Sequence, residues 1–333
     1  MKRALLSAVL VRTRVASLVQ PLVRWTGVIG LNYHRIGDGG ASPFDRGIWS
    51  ASAAGFDEQL AALKRDADVV SVDDLDERHA RRRGRSVLIT FDDGYLDNYT
   101  TAFPLLKRHG LPATFFVTTG FLDTPRLPWW DEIAWMMRSA RGAHLDLPGF
   151  IPTRVAFDEP SREQAVRTVL RAFKATPTDG TEAFLSALAL ATGAGRYDPE
   201  QARSLWMTWD MIRELRASGM SIGGHTIDHP ILAQMSDEGQ RDQITGCAAR
   251  LESELGERMR WFAYPVGTRQ AFNEATRACL RACGVELGFS YYGGFRRFDD
   301  WDPFDVRRMS VEHTTSLDEF RARVLLPQVF ARS

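Results

Sequence analysis

The sequence predicts an α/β fold in which a parallel sheet or barrel is wrapped by helices. Two observations predict it. Short apolar runs end abruptly in acidic residues, histidine or glycine, as strands buried on both faces do. These runs alternate with capped amphipathic helical segments, the rhythm of repeated strand–helix units.

Length and composition agree with a soluble globular protein. The chain has 333 residues, 44% hydrophobic and 25% charged. Basic and acidic side chains balance at 42 each, which excludes a general polyanion binder and with it a nucleic-acid partner. Three cysteines, an odd number, do not make a disulfide framework.

The elements follow in order. Residues 1–27 begin basic and moderately apolar, and Arg12 and Arg14 interrupt the apolar stretch. They predict a packing helix, with peripheral membrane contact as a second reading, since the stretch is too short and too charged to span a bilayer. A cytoplasmic or membrane-associated location is expected. Val28 to His34 reads as the first core strand, and Phe56, Leu60 and Leu63 give helical spacing up to Asp66. The basic cluster Arg78–Arg85 reads as a solvated connector. A strand from Ser86 to Phe91 follows, then a helix from beyond Tyr95 to Arg108, then a buried strand over Leu111–Thr118. Residues 121–205 break the rhythm. Their helical patterns at Trp129–Met137, Arg162–Phe173 and Thr181–Ala191 predict a mostly helical insertion, with its aromatic cluster used for packing. Thr208 predicts an N-cap for a helix bearing Trp209, Ile212 and Leu215 and stopped by Gly219. Trp261–Tyr264 is a further strand, Cys279 and Cys283 lie on a helix ending at Gly284, and Ser316 with Glu319 predicts a capping box for the last helix.

The chemistry concentrates where two of these strands end. Thr90-Phe91-Asp92-Asp93-Gly94-Tyr95 places adjacent carboxylates where a strand leaves the core. Neighbouring strand residues point to opposite faces, so both can reach one site only if the chain turns, and Gly94 permits that turn. Far along the chain, His225 and His229 are spaced as i and i+4. Gly219, Gly223, Gly224 and Pro230 exclude a helix there, so both imidazoles belong to a strand end and its loop. One carboxylate and two imidazoles suit a borderline divalent ion such as zinc, and three protein ligands leave a position open for water. Asp93 is the ligand of the pair and Asp92 the spare base.

Four motifs in this order resemble the polysaccharide deacetylases, the NodB-homology or carbohydrate esterase family four. They are Thr90–Tyr95, Ala113–Val117, His225-Thr226-x-x-His229-Pro230 and Phe262–Gly267, and the resemblance covers roughly residues 28–120 and 205–325. It implies a distorted, incomplete (β/α) barrel over 28–325, interrupted by the insertion at 121–205. It also implies removal of N-acyl groups, N-acetyl first, from amino sugars of a polysaccharide, glycan precursor or glycolipid. By position, Asp92 resembles the general base and Asp93, His225 and His229 the metal triad, for zinc or else cobalt, nickel or manganese. The N–H of Val266 resembles an oxyanion donor, with Tyr264 and Pro265 beside it as substrate-binding candidates.

The chain departs from the family pattern twice. The arginine that orients the catalytic aspartate is replaced by Ala263, and Arg307 or Arg308, with Arg308 as the candidate, supplies the missing cation. The family's C-terminal Leu-x-His becomes Val311-Glu312-His313, which leaves His34, at the end of the first core strand, as the preferred general acid over His313. Two other functions are compatible with the sequence. One is a deformylase of a lipid-linked amino sugar or an amidohydrolase of a small amide; the other is an inactive sugar-binding module.

Overall fold

A computed structural model of the chain describes residues 26–81, 84–158 and 161–330. The helix expected at the N-terminus falls on residues 1–25, outside the described residues, and Gly27 already belongs to the first strand. Seven parallel strands form a closed barrel: β1 (Gly27–Tyr33), β2 (Arg85–Phe91), β3 (Thr114–Val117), β4 (Ser221–Gly224), β5 (Trp261–Ala263), β6 (Leu287–Ser290) and β7 (Val306–Ser310). Each pairs with the next in this order, and the ring closes because β1 pairs with both β7 and β2. The seam between β1 and β2 is long, running from Gly27 opposite Arg85 to Tyr33 opposite Phe91.

Strand alternation sorts the side chains into two apolar layers. Val28, Leu88, Phe116, Phe289 and Val306 pack together in one cluster, while Ile29, Leu31, Val87 and Ile89 meet the helices in another. The helix α1 (Ala53–Asp66) is capped by Ser52, whose hydroxyl accepts the Gly55 N–H at 3.0 Å. It buries Phe56, Leu60 and Leu63 against the barrel, at ~1.5–3 kcal/mol for each large side chain.

Arg308 of β7 is fully buried, with its guanidinium carbon 5.3 Å from the centre of the Phe116 ring. Gly30, opposite it in register, makes the room. A first side-chain carbon at Gly30 would lie 2.5 Å from Arg308 Cγ.

The helix expected beyond Tyr95 forms: it starts at Leu96, widens to a π-turn over Asn98–Ala102 and continues as α2 (Phe103–His109). Pro104 in the first turn of α2 has no N–H to donate, so the regular ladder does not run through it. Two other local expectations need correction. The basic connector is partly helical, because residues Leu75–Ala80 form a short helix in which Arg78 pairs with Asp68. At the last helix, the Glu319 N–H donates to Ser316 Oγ at 3.2 Å, but the Glu319 carboxylate pairs with Arg323 at 2.7 Å, so only half of the capping box forms.

Between β3 and β4 the chain forms α3 (Trp129–Ser139), α4 (Arg162–Ala175) and α5 (Thr181–Thr192), which bury a core of their own around Ile133, Val169 and Phe184. It re-enters the barrel through α6 (Trp209–Ala217), capped by Thr208, and Gly219 follows with φ +85°. Beyond β4 lie α7 (Asp237–Leu255) and α8 (Glu274–Ala282), and α9 (Leu317–Leu325) follows β7.

Candidate metal and active site

The site lies at the C-terminal ends of the barrel strands, the rim that barrel enzymes use for chemistry. At the end of β2, the Asp92 N–H still bonds the Tyr33 carbonyl (3.0 Å), and the chain then turns, with Asp93 at φ +77° and Gly94 at φ +94°. The turn brings both neighbouring carboxylates into one site. Beyond β4, the His225 N–H bonds the Val117 carbonyl (3.0 Å). Thr226 Oγ1 then accepts the His229 N–H (2.9 Å), folding the loop so that the second imidazole returns toward the first.

The Asp93, His225 and His229 ligand atoms all lie within 4.8 Å of one another, and all three residues are buried. His225 Nδ1–H donates to the Ala263 carbonyl (2.8 Å), which turns its Nε2 toward Asp93 Oδ1 at 3.5 Å. His229 Nε2 stands 3.6 Å from the same oxygen.

These residues fit a divalent ion. Asp93 Oδ1 is buried with no hydrogen-bond partner, an arrangement that a cation among the three groups would satisfy. Ligand atoms ~2.1 Å from one tetrahedral ion stand ~3.4 Å apart, close to the spacings found. Burial and the neighbouring His225 push the His229 imidazole down to about 3, so it stays neutral and able to ligate. Burial raises the Asp93 carboxyl, but the neighbouring His225 and His229 imidazoles bring it below its ordinary value.

Asp92 lies beside this triad, its Oδ2 4.0 Å from His225 Nε2. Arg308 Nη1 donates to Asp92 Oδ1 (2.6 Å) and Nη2 to Oδ2 (2.9 Å), and Asn32 Nδ2 donates to Oδ2 (3.1 Å). Arg308 is itself held by Thr90 Oγ1 (3.1 Å) and the Ser290 carbonyl (3.2 Å). Burial raises the Asp92 carboxyl, yet the Arg308 charge, with smaller help from His225 and His34, holds it well below the usual carboxylate range. Arg307, the other arginine considered, points elsewhere and pairs with Asp305 (3.2 Å).

A cavity of about 420 Å³ opens above these groups, bordered by His34, Trp49, Trp129, Val266, Tyr291 and His313. His34 and His313 both line it. His34 packs edge-on to Tyr291 (5.8 Å), while the exposed His313 is tied by its N–H to the Trp49 carbonyl (3.1 Å). Val266 adopts φ +61°, a conformation that a β-branched residue rarely takes. Tyr264 borders the cavity, but its hydroxyl points into the fold, donating to the Phe304 carbonyl (3.0 Å) while its ring stacks on Phe272. Pro265 is not among the residues lining the cavity.

Sequence reasoning did not single out Asn32, Thr90 or Thr226 as site residues. Asn32 and Thr90 are polar residues within largely apolar strands, and a buried polar group needs a partner, which is the signal that could have found them. Thr226 left no such mark. Among the described residues, the non-glycine positions with positive φ are Asp93, Thr226, His229 and Val266, all at this site.

A family model described as polysaccharide deacetylase matches residues 79–144 and 155–288, well over half of the chain, and the chain belongs to that family. The poly-beta-1,6-N-acetyl-D-glucosamine N-deacetylase of Escherichia coli (strain K12) is 30% identical over 103 residues, covering 30% of this chain and 15% of its own length. The protein of the same name from Staphylococcus aureus (strain MSSA476) is 31% identical over 106 residues, covering 28% of this chain and 36% of its own length. The matched region is thus well under two thirds of either relative. Among solved structures, the Streptococcus pyogenes deacetylase PplD in complex with acetate aligns with a TM-score of 0.60 at 18% identity, over 91% of this chain and 100% of that one. IcaB from Ammonifex degensii aligns with a TM-score of 0.56 at 22% identity, over 92% and 98%. These structures share the fold.

Proposed function

We propose that this protein is a metal-dependent hydrolase that removes an N-acyl group, N-acetyl first, from an amino sugar of a polysaccharide or glycan precursor. The observation that carries the reading is the pairing, on one cavity floor, of a buried Asp-His-His triad with an aspartate held ionised by an arginine. Family membership supports it, and the names of the two curated relatives support an N-acetylated amino sugar as substrate.

Asp93, His225 and His229 would hold the ion, zinc or else cobalt, nickel or manganese. When bound, it would supply Lewis acidity and make the attacking water markedly more acidic. The remaining work falls to the chain. Asp92, oriented by Arg308 and Asn32, receives a proton from the attacking water through a carboxylate oxygen. The hydroxyl adds to the acyl carbon, and the Val266 N–H donates to the carbonyl oxygen as negative charge develops there. The C–N bond then breaks, and His34, at the cavity wall, delivers a proton to the leaving amine nitrogen. Acetate and the free amino sugar are the products.

The test is release of acetate or formate from a panel of N-acylated sugars, with and without a chelator. Chelator-sensitive acetate release from N-acetylglucosamine oligomers is the expected result. Formate release from a lipid-linked amino sugar would favour a deformylase, and sugar binding with no release of either acid would point to a binding module.

A further inference from the structure

We infer that Asp131 is a positioning residue of the site. Through the Tyr95 hydroxyl and the Trp130 indole it sets the imidazole of His229, and through the Asp45 amide it fixes the cavity wall. The inference rests on reading Asp93, His225 and His229 as metal ligands.

Asp131 lies in the first turn of α3, inside the segment that departs from the barrel rhythm, and is fully buried. Its carboxylate oxygens serve different elements. Oδ2 accepts the Tyr95 hydroxyl (2.7 Å), and Oδ1 accepts the Asp45 N–H (2.9 Å). The Tyr95 oxygen in turn accepts Trp130 Nε1–H (2.8 Å), and the Trp130 ring packs against the His229 imidazole, with centres 4.5 Å apart at 62°. This chain of contacts ends on His229, and Tyr95 itself follows the Asp93 turn by two residues in sequence. Asp45 and Trp130 both border the cavity above the triad. Arg35 completes the cluster, its guanidinium between the Trp49 and Tyr95 rings at 4.2 and 4.5 Å and its Nε bonded to Asp97 (2.9 Å).

The simpler account makes Asp131 an acidic residue favouring a helix N-terminus. Its hydrogen-bond partners argue otherwise, because they come from segments around residues 45 and 95 rather than from α3. A buried carboxylate is also a costly way to stabilise a helix, and an apolar residue of similar size would pack there with less penalty. What a carboxylate adds is two fixed acceptors aimed at donors from two elements, which together hold the wall and the tryptophan behind His229.

Titration of the full-length protein with Co(II), read by its visible absorption, tests this without turnover. The absorption reports coordination geometry as well as occupancy. Asp131→Asn keeps the volume but offers one acceptor where two donors converge, and Tyr95→Phe removes the hydroxyl that links Asp131 to Trp130. We expect each variant to keep the wild-type circular dichroism while binding Co(II) tenfold or more weakly, with a changed absorption spectrum. Wild-type affinity and spectrum in either correctly folded variant would overturn the inference. Failure of the wild-type protein to take up Co(II) would overturn the metal reading itself, and the inference with it.

Discussion

Arg308 grips Asp92 through both carboxylate oxygens, at 2.6 and 2.9 Å, across 216 positions of sequence. The pair is buried inside the barrel, in space left by Gly30. A bidentate guanidinium–carboxylate pair fixes direction as well as charge, which is what a base beside a metal triad needs.

Breaking that pair strands a buried carboxylate. Arg308→Met is expected to destabilise the fold by ~3–5 kcal/mol in urea unfolding and to lower kcat/KM at least a hundredfold. Arg308→Lys should recover less than half of the lost stability, because an ammonium cannot reproduce the two parallel bonds. Wild-type stability and turnover in the methionine variant would show that the pair orients nothing.

Metal content and turnover should fall together when the triad is cut. His225→Ala and His229→Ala are each expected to purify with substoichiometric zinc by elemental analysis and to lose turnover that added zinc does not restore. In the wild-type protein, chelation should abolish turnover and zinc should restore it. Full activity in a chelated His225→Ala sample would remove the triad from the mechanism.

The two cavity histidines are separated by a pH–rate profile. Both line the cavity, and with His34 as the general acid His34→Ala is expected to lose the alkaline limb of kcat, while His313→Ala keeps it. The opposite pattern would transfer the acid role to His313.

Asp131 should also mark the pH dependence of stability. Burial pushes its carboxyl up to about 7, against the pull of Arg35 and the Tyr95 hydroxyl and with some push from Asp45. The folded state therefore holds this proton more tightly than the unfolded chain does. The resulting stabilisation is complete below about pH 4 and is lost as pH rises toward and through 7. Asp131→Asn carries no such proton. The stability difference between wild type and variant, followed by chemical denaturation from pH 4 to 8, should shift toward the variant by up to ~4 kcal/mol. A difference that is flat with pH would place the carboxyl in its ordinary range.

Much of the site was legible because its signals are local. Two acids and a glycine ending an apolar strand, or two histidines with glycines before them and a proline after, constrain backbone direction within a few residues, and the structure brings Asp92, Asp93, His225 and His229 together. Strands β1, β2, β3 and β5 were legible for a related reason, since a strand buried on both faces is written as a largely continuous apolar run, whereas β7 carries two adjacent arginines and was not read as one. Tyr264 and Pro265 were read as a motif, and the structure turns the tyrosine hydroxyl into the core because a buried phenol needs an acceptor, found at the Phe304 carbonyl.

By itself, the sequence determined the strand–helix rhythm, the acid pair, the paired imidazoles and the turns that carry them, while β6 and β7 were not read from it. Tertiary structure alone chose Arg308 over Arg307. A shift of one residue along a strand exchanges its two faces, and only the pairing of β7 with β1 sets which arginine enters the barrel opposite Gly30. It alone joined Asp131 to Tyr95 and Asp45, 36 and 86 positions away, because hydrogen bonds between distant segments leave no periodicity in the chain that makes them.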